Sequence, residues 1–152
     1  MPDACIGVDV IVGSPGETED EFIKTVDFIR SLEVSYLHVF TYSERANTTA
    51  LRIENVIPMQ VRQERNKILT NISHKKKRAF YETQIGSERK VLWEGSENEG
   101  MMNGFTDNYV KVQKPFDEDS VNEMEELVLG NIDRNGLVSV GIDAEMMTVS
   151  EK

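Results

Sequence analysis

A chain of 152 residues is long enough for one ordinary domain or two small ones and too short for a complete (β/α)₈ barrel. With 39% hydrophobic and 29% charged residues it has a soluble, globular composition, and no apolar run approaches the length of a membrane span. The formal charge is −10, and a single cysteine, Cys5, excludes an internal disulfide and any iron–sulfur site built from cysteines of this chain. No basic stretch followed by an apolar segment marks a secretory signal, so the chain reads as cytoplasmic. Charge is unevenly placed: residues 1–57 carry a net −6, residues 58–90 a net +6 and residues 91–152 a net −10.

The opening GVDVIVG from Gly7 to Gly13 is an almost continuous β-branched run and predicts a strand covered on both faces, as in a parallel sheet. Ser14-Pro15-Gly16-Glu17 then reads as a turn. Thr18 stands three residues before Glu21, the spacing of a capping box, and a helix is expected over 18–32. Phe22, Val26 and Ile29 form its apolar stripe, with Phe28 and Leu32 widening it. Tyr36-Leu37-His38-Val39-Phe40 has the content of a second strand, parallel to the first across a right-handed connection. Two strands and one helix leave apolar faces uncovered, so the unit reads as cut from a larger α/β sheet, and the isolated chain is expected to self-associate or to stay partly molten in its first half.

Residues 43–57 look irregular. Pro58 opens a second helix whose apolar side is Val61, Ile68, Leu69 and Ile72. The basic tetrad Lys75, Lys76, Lys77 and Arg78 is expected on its last turns, where cations are favoured, as a solvated face or as a polyanion contact. From about Glu82 short strands follow: Ile85–Glu94, Tyr109–Gln113, Glu126–Ile132 and Leu137–Ile142, with Asp133-Arg134-Asn135-Gly136 as a hairpin turn. These predict a small antiparallel β-barrel. The expected divisions are 1–81, 82–146 and a tail at 147–152. No Ser/His/Asp triad, zinc spacing or Walker motif can be assembled.

Three stretches in order, DVIVGSPGETEDEF at Asp9–Phe22, HVFTYSERANTTA at His38–Ala50 and GFTDNYVKV at Gly104–Val112, resemble the C-terminal part of the radical-SAM methylthiotransferases. The likeness is greatest to the subgroup acting on N6-threonylcarbamoyladenosine in tRNA. It implies a partial (β/α) radical-SAM barrel segment, holding that barrel's fifth and sixth strands, followed by a TRAM domain, a small RNA-binding β-barrel. The chain departs from the family at Ser14, where phenylalanine is usual, and at Ala46 and Asn47, where proline and glycine are usual. It also lacks the CxxxCxxC motif that holds the radical-SAM cluster, so the chain alone is expected to be inert and to need the missing N-terminal part of the same polypeptide. Cofactors implied for that longer protein are S-adenosylmethionine and two 4Fe-4S clusters.

The resemblance places Gly13, Pro15 and Glu17 beside the adenosyl end of S-adenosylmethionine, and His38, Tyr42, Ser43 and Arg45 on the sixth-strand motif at the same end of the barrel. Arg45 is a candidate for bidentate pairing with a carboxylate or phosphate. For tRNA, with the anticodon arm as the implied partner, the candidates are Lys75, Lys76, Lys77, Arg78, Arg89, Lys90 and Lys111 on phosphates, with Phe105 and Tyr109 stacking on unpaired bases. The acidic run Asp117, Glu118, Asp119, Glu123, Glu125 and Glu126 must then face away from RNA. The alternatives are a stand-alone RNA-binding module and a protein-interaction domain.

Overall fold

In the computed structural model, which describes residues 3–140, β1 (Gly7–Val12) and β2 (Tyr36–Thr41) pair in parallel from Gly7 opposite Tyr36 to Val12 opposite Thr41. They are joined by α1 (Glu19–Ser31). Its capping box forms as the spacing predicts: Glu21 N donates to Thr18 Oγ1 (3.3 Å) and Thr18 N donates to Glu21 Oε2 (2.8 Å). Phe22, Val26 and Ile29 bury against Val12, Leu37 and Leu69. Phe28 does not widen that stripe. Two residues beyond Val26 is roughly 200° around a helix, and Phe28 is accordingly 62% exposed.

The expected double cover of β1 is also corrected. Val8, Val10 and Val12 face the cluster to which both helices contribute, whereas Gly7, Asp9 and Ile11 are exposed. On β2 the same open face carries His38 and Phe40. Ile11 and Phe40 stay 58% and 52% exposed.

The second helix, α2 (Met59–Gln84), extends beyond the basic tetrad, which therefore lies within the helix and not on its last turns. The helix also covers the free edge of β2. Ser73 Oγ accepts from Leu37 N (2.8 Å) and donates to Leu37 O (2.9 Å), and Asn66 Nδ2 donates to Val39 O (3.1 Å). Strand-edge groups that would otherwise recruit another strand are thereby satisfied by side chains.

Chain contacts divide the molecule into two units, residues 6–77 and residues 78–140 with 3–5. The second is a closed barrel of β3 (Glu88–Asn98), β4 (Met101–Thr106), β5 (Lys111–Pro115), β6 (Met124–Ile132) and β7 (Val138–Val140), in the order β3-β4-β5-β7-β6. The barrel is mixed, which corrects the antiparallel expectation. Because β6 returns to pair with β3, the hairpin delivers β7 beside β5 in the same direction, Val112 opposite Val138. The Asp133–Gly136 turn closes as predicted, with Asp133 N donating to Leu137 O at 2.8 Å. Trp93, Met102, Val91 and Val112 are fully buried at the centre. This small closed barrel fits a TRAM-like domain. The end of the predicted strand Leu137–Ile142 and the tail at 147–152 lie outside the described residues.

At the barrel's edge Lys114 Nζ sits 4.5 Å from the Trp93 ring centroid and donates to Glu125 Oε1 (2.8 Å), Glu125 Oε2 (3.0 Å) and Ser120 Oγ (2.7 Å). The Lys114 hydrogen bonds hold the Glu125 carboxyl below the usual carboxylate range, and Ser120 does the same for Asp117. A carboxyl depressed on folding stabilises the fold above its unfolded pKa, and that contribution is lost as pH falls through the folded value. Barrel stability is therefore expected to fall as pH drops below about 4, and Lys114→Met should flatten the dependence. Melting curves of both proteins across that range check it; parallel curves would contradict it.

Candidate functional site

The loops that follow β1 and β2 are built by two arginines of α2. Arg62 and Arg65 are nearly fully buried, one helical turn apart. Arg62 donates to Ile57 O (2.7 Å) and Tyr42 O (2.9 Å), pairs with both carboxylate oxygens of Glu44, and stacks 5.4 Å from the Tyr42 ring centroid. Its guanidinium holds the Glu44 carboxyl below its ordinary range. Arg65 donates to Glu17 O (2.9 Å), Glu17 Oε2 (2.7 Å) and Glu19 Oε2 (3.0 Å), over the Phe22 ring at 5.0 Å.

Three backbone donors of the turn after β1 are committed within the protein. Gly13 N donates to Glu17 Oε2 (2.7 Å), Gly16 N to Asn55 O and Glu17 N to Ser14 O (both 3.0 Å). Gly13 holds φ +77, and a Cβ there would lie 2.3 Å from Arg62 Cγ, so only glycine lets the strand end pass the arginine.

Beside this turn is a cavity of about 470 Å³ lined by Ile11, Phe40, Tyr42, Ser43, Arg45 and Thr48, among others. It brings together three of the residues singled out from sequence: Tyr42, Ser43 and Arg45. Gly13, Pro15 and Glu17 are not part of its lining; they form the supporting turn. His38 lies on the open face of β2, paired in register with Asp9 and meeting Tyr36 edge-on at 4.9 Å. With the apolar Ile11 and Phe40 and the polar Tyr42, Ser43 and Arg45 in its lining, the cavity suits a small molecule with one flat apolar part and one polar part. S-adenosylmethionine, the cofactor that the resemblance implies, has both parts. An iron–sulfur cluster does not fit: the chain has one cysteine, and among the described residues no group of three His, Cys, Asp or Glu side chains could hold a metal.

The polyanion candidates fall into different situations. Lys76 Nζ donates to Leu32 O (2.6 Å), capping α1, and Arg78 pairs with Glu82 (2.9 Å); Lys75 and Lys77 are exposed. On the barrel, Arg89 is engaged with Gln84 Oε1 (2.8 Å) and Asp3 (3.3 Å), while Lys90 is exposed and Lys111 half-buried. Phe105 is half-buried and Tyr109 is 70% exposed. In the acidic run Glu125 is taken up by Lys114, and Asp117, Glu118, Asp119, Glu123 and Glu126 face solvent.

Sequence reasoning missed Arg62 and Arg65. The signal was their spacing: with Leu69 and Ser73 they fall at i, i+3, i+7 and i+11 on one helix face, which reads as polar only if arginines are assumed to be outside.

No protein-family model matches the chain. Among curated proteins, the threonylcarbamoyladenosine tRNA methylthiotransferase MtaB of Thermotoga maritima is 32% identical over 93% of this chain and 32% of the relative. The protein of the same name from Bacillus subtilis is 35% identical over 82% of this chain and 28% of its own length. That of Aquifex aeolicus is 40% identical over 60% of this chain and 22% of its own length. The chain thus spans a third or less of each of these relatives. No helix among the described residues is long and apolar enough to cross a membrane. Over most of its length the chain is homologous to a segment of the threonylcarbamoyladenosine tRNA methylthiotransferases.

Proposed function

We propose that the chain is the C-terminal part of a radical-SAM methylthiotransferase that adds a methylthio group to N6-threonylcarbamoyladenosine in tRNA, in the cytoplasm. The observation that carries this is the match to enzymes of that printed name over 93% of the chain, from the β–α–β unit through the barrel. Residues 1–81 would be the end of the radical-SAM barrel and residues 82–146 the TRAM-like domain. The covered outer edge of β2 supports the first assignment, because a sheet closed there by α2 can be extended only on the β1 side. The exposed Ile11 and Phe40 would then face the interior of the completed barrel, and in the isolated chain they favour self-association, seen as concentration-dependent sedimentation.

S-adenosylmethionine, when bound with a cluster held by the rest of the polypeptide, supplies the radical chemistry. In this reading Tyr42, Ser43, Arg45, Ile11 and Phe40 would help to hold it, and His38 faces the same open side of the sheet. Gly13, Pro15 and Glu17 shape the neighbouring turn. The barrel, with Lys90, Lys111, Phe105 and Tyr109, binds the anticodon arm of tRNA, assisted by the α2 cations.

Titration of the 152-residue chain with a tRNA anticodon stem-loop tests the RNA part of the proposal. If Lys75, Lys90 and Lys111 each neutralise one phosphate, log K should fall against log salt with a slope of about −2. Alanine at Lys90 and Lys111 should reduce that slope. Absence of salt-dependent binding would point instead to a protein-interaction domain.

A further inference from the structure

The turn between β4 and β5 combines a strained backbone with an exposed aromatic ring. Tyr109 sits at φ +64, in the left-handed region that side chains enter only at a cost, and is 70% exposed. Its neighbours Thr106, Asn108 and Val110 are buried. Asn108 Oδ1 accepts from Thr106 Oγ1 (2.6 Å), and Asn108 Nδ2 donates to Gln84 Oε1 (2.9 Å) and Asp3 O (3.1 Å). Thr106 Oγ1 in turn accepts from Val110 N (2.8 Å), and Tyr109 N donates to Thr106 O (3.0 Å). Behind the turn, the Tyr81 hydroxyl accepts from Lys111 N (3.0 Å) and donates to Tyr109 O (3.4 Å).

These bonds fix the backbone on both sides of Tyr109, yet none of them is made by its side chain. Folding alone would favour glycine here, which takes positive φ without strain and exposes no ring. The strain is therefore spent on display. Two lysines are near the turn: Asp107 N donates to Lys90 O (2.9 Å), which places the exposed Lys90 strand beside it, and Lys111 follows two residues after Tyr109. An outward aromatic on a fixed backbone, with lysines on the neighbouring strands, is an arrangement that can stack an unpaired base while its phosphates are neutralised.

We infer that Tyr109 is a base-stacking residue for an unpaired nucleotide of the bound RNA, and that Asn108 is the positioning residue that holds it out. This rests on the tRNA-binding reading above. The test uses the full 152-residue chain and its Tyr109→Gly, Tyr109→Phe and Asn108→Ala variants. Each is titrated with an anticodon stem-loop carrying 2-aminopurine in the loop and with a fully paired duplex of the same composition, and each is melted thermally.

Tyr109→Gly is expected to weaken stem-loop binding about tenfold or more, to abolish the quenching of 2-aminopurine, and to leave duplex binding unchanged. Its melting temperature should stay level or rise, because the strain is relieved. Tyr109→Phe should bind like the parent. Asn108→Ala should weaken stem-loop binding, with little further loss when combined with Tyr109→Gly. A Tyr109→Gly protein that binds the stem-loop as tightly as the parent, or that melts lower and loses duplex binding equally, overturns the inference. Failure of the parent chain to bind the stem-loop at all overturns the RNA-binding reading, and the inference with it.

Discussion

Trp93→Ala is expected to destabilise the barrel by about 3–5 kcal/mol, a large share of the roughly 5–15 kcal/mol available to a small domain. The indole is fully buried among Tyr81, Val91, Met102, Val112, Leu129 and Val138. Its neighbours cannot easily collapse into the space left. Gly104 on β4 approaches so closely that a Cβ there would lie 2.8 Å from Trp93 Cε3 and 2.8 Å from Leu92 O, and the strands around it close on one another. The substitution also removes the ring face under Lys114, leaving that ammonium and its Glu125 partner without their apolar floor. Urea denaturation of the full chain, read through amide exchange at Val91 and Val112, measures the loss. Met124→Ala, at a side chain exposed on β6, is the control and should change stability little. A loss below about 1 kcal/mol for Trp93→Ala, the ordinary scale of a point substitution, would contradict this picture of the core.

The second large effect is expected at Arg65. Its side chain is 5% exposed and its partner Glu17 16% exposed, so Arg65→Met leaves a largely buried carboxylate to which, among the described residues, Gly13 N alone still donates. Breaking one half of a buried pair costs about 3–5 kcal/mol, far more than the pair contributes when intact. Adding Glu17→Gln to Arg65→Met should therefore recover much of the loss, since the uncompensated charge is removed. Amide exchange in β1 and stability of the single and double variants give the coupling. Strictly additive losses would mean that Arg65 acts through packing on Phe22 and not through Glu17.

The first half of the fold was legible because its signals are local. Thr18 and Glu21 announce the start of α1 by spacing alone, and Tyr36 to Phe40 carries the aromatic and β-branched content that suits a strand. The barrel was legible in outline and not in detail. β4 reads MMNGFT, without the β-branched run that marks a strand, because Gly104 is required where Trp93 and the backbone of β3 press closest. The parallel pairing of β5 with β7 depends on where β6 returns, which no local pattern records.

At the candidate site, Tyr42, Ser43 and Arg45 were found from a motif and do share a cavity. The residues that shape it were missed for a physical reason: Arg62 and Arg65 are charged, and their burial becomes acceptable only when carboxylates and carbonyls from distant loops arrive to pair with them. Lys76 illustrates the converse. In the sequence it is one of four equivalent cations, whereas in the fold its ammonium closes the end of α1 at Leu32 O.

The most direct measurement is an exchange of segments. The matching part of the Bacillus subtilis relative is replaced by this chain, and the tRNA of a strain lacking its own enzyme is digested and analysed by mass spectrometry. The account predicts that threonylcarbamoyladenosine reappears in its methylthiolated form. A soluble exchanged protein that carries its clusters and binds tRNA, yet leaves that nucleoside unmodified, would contradict it.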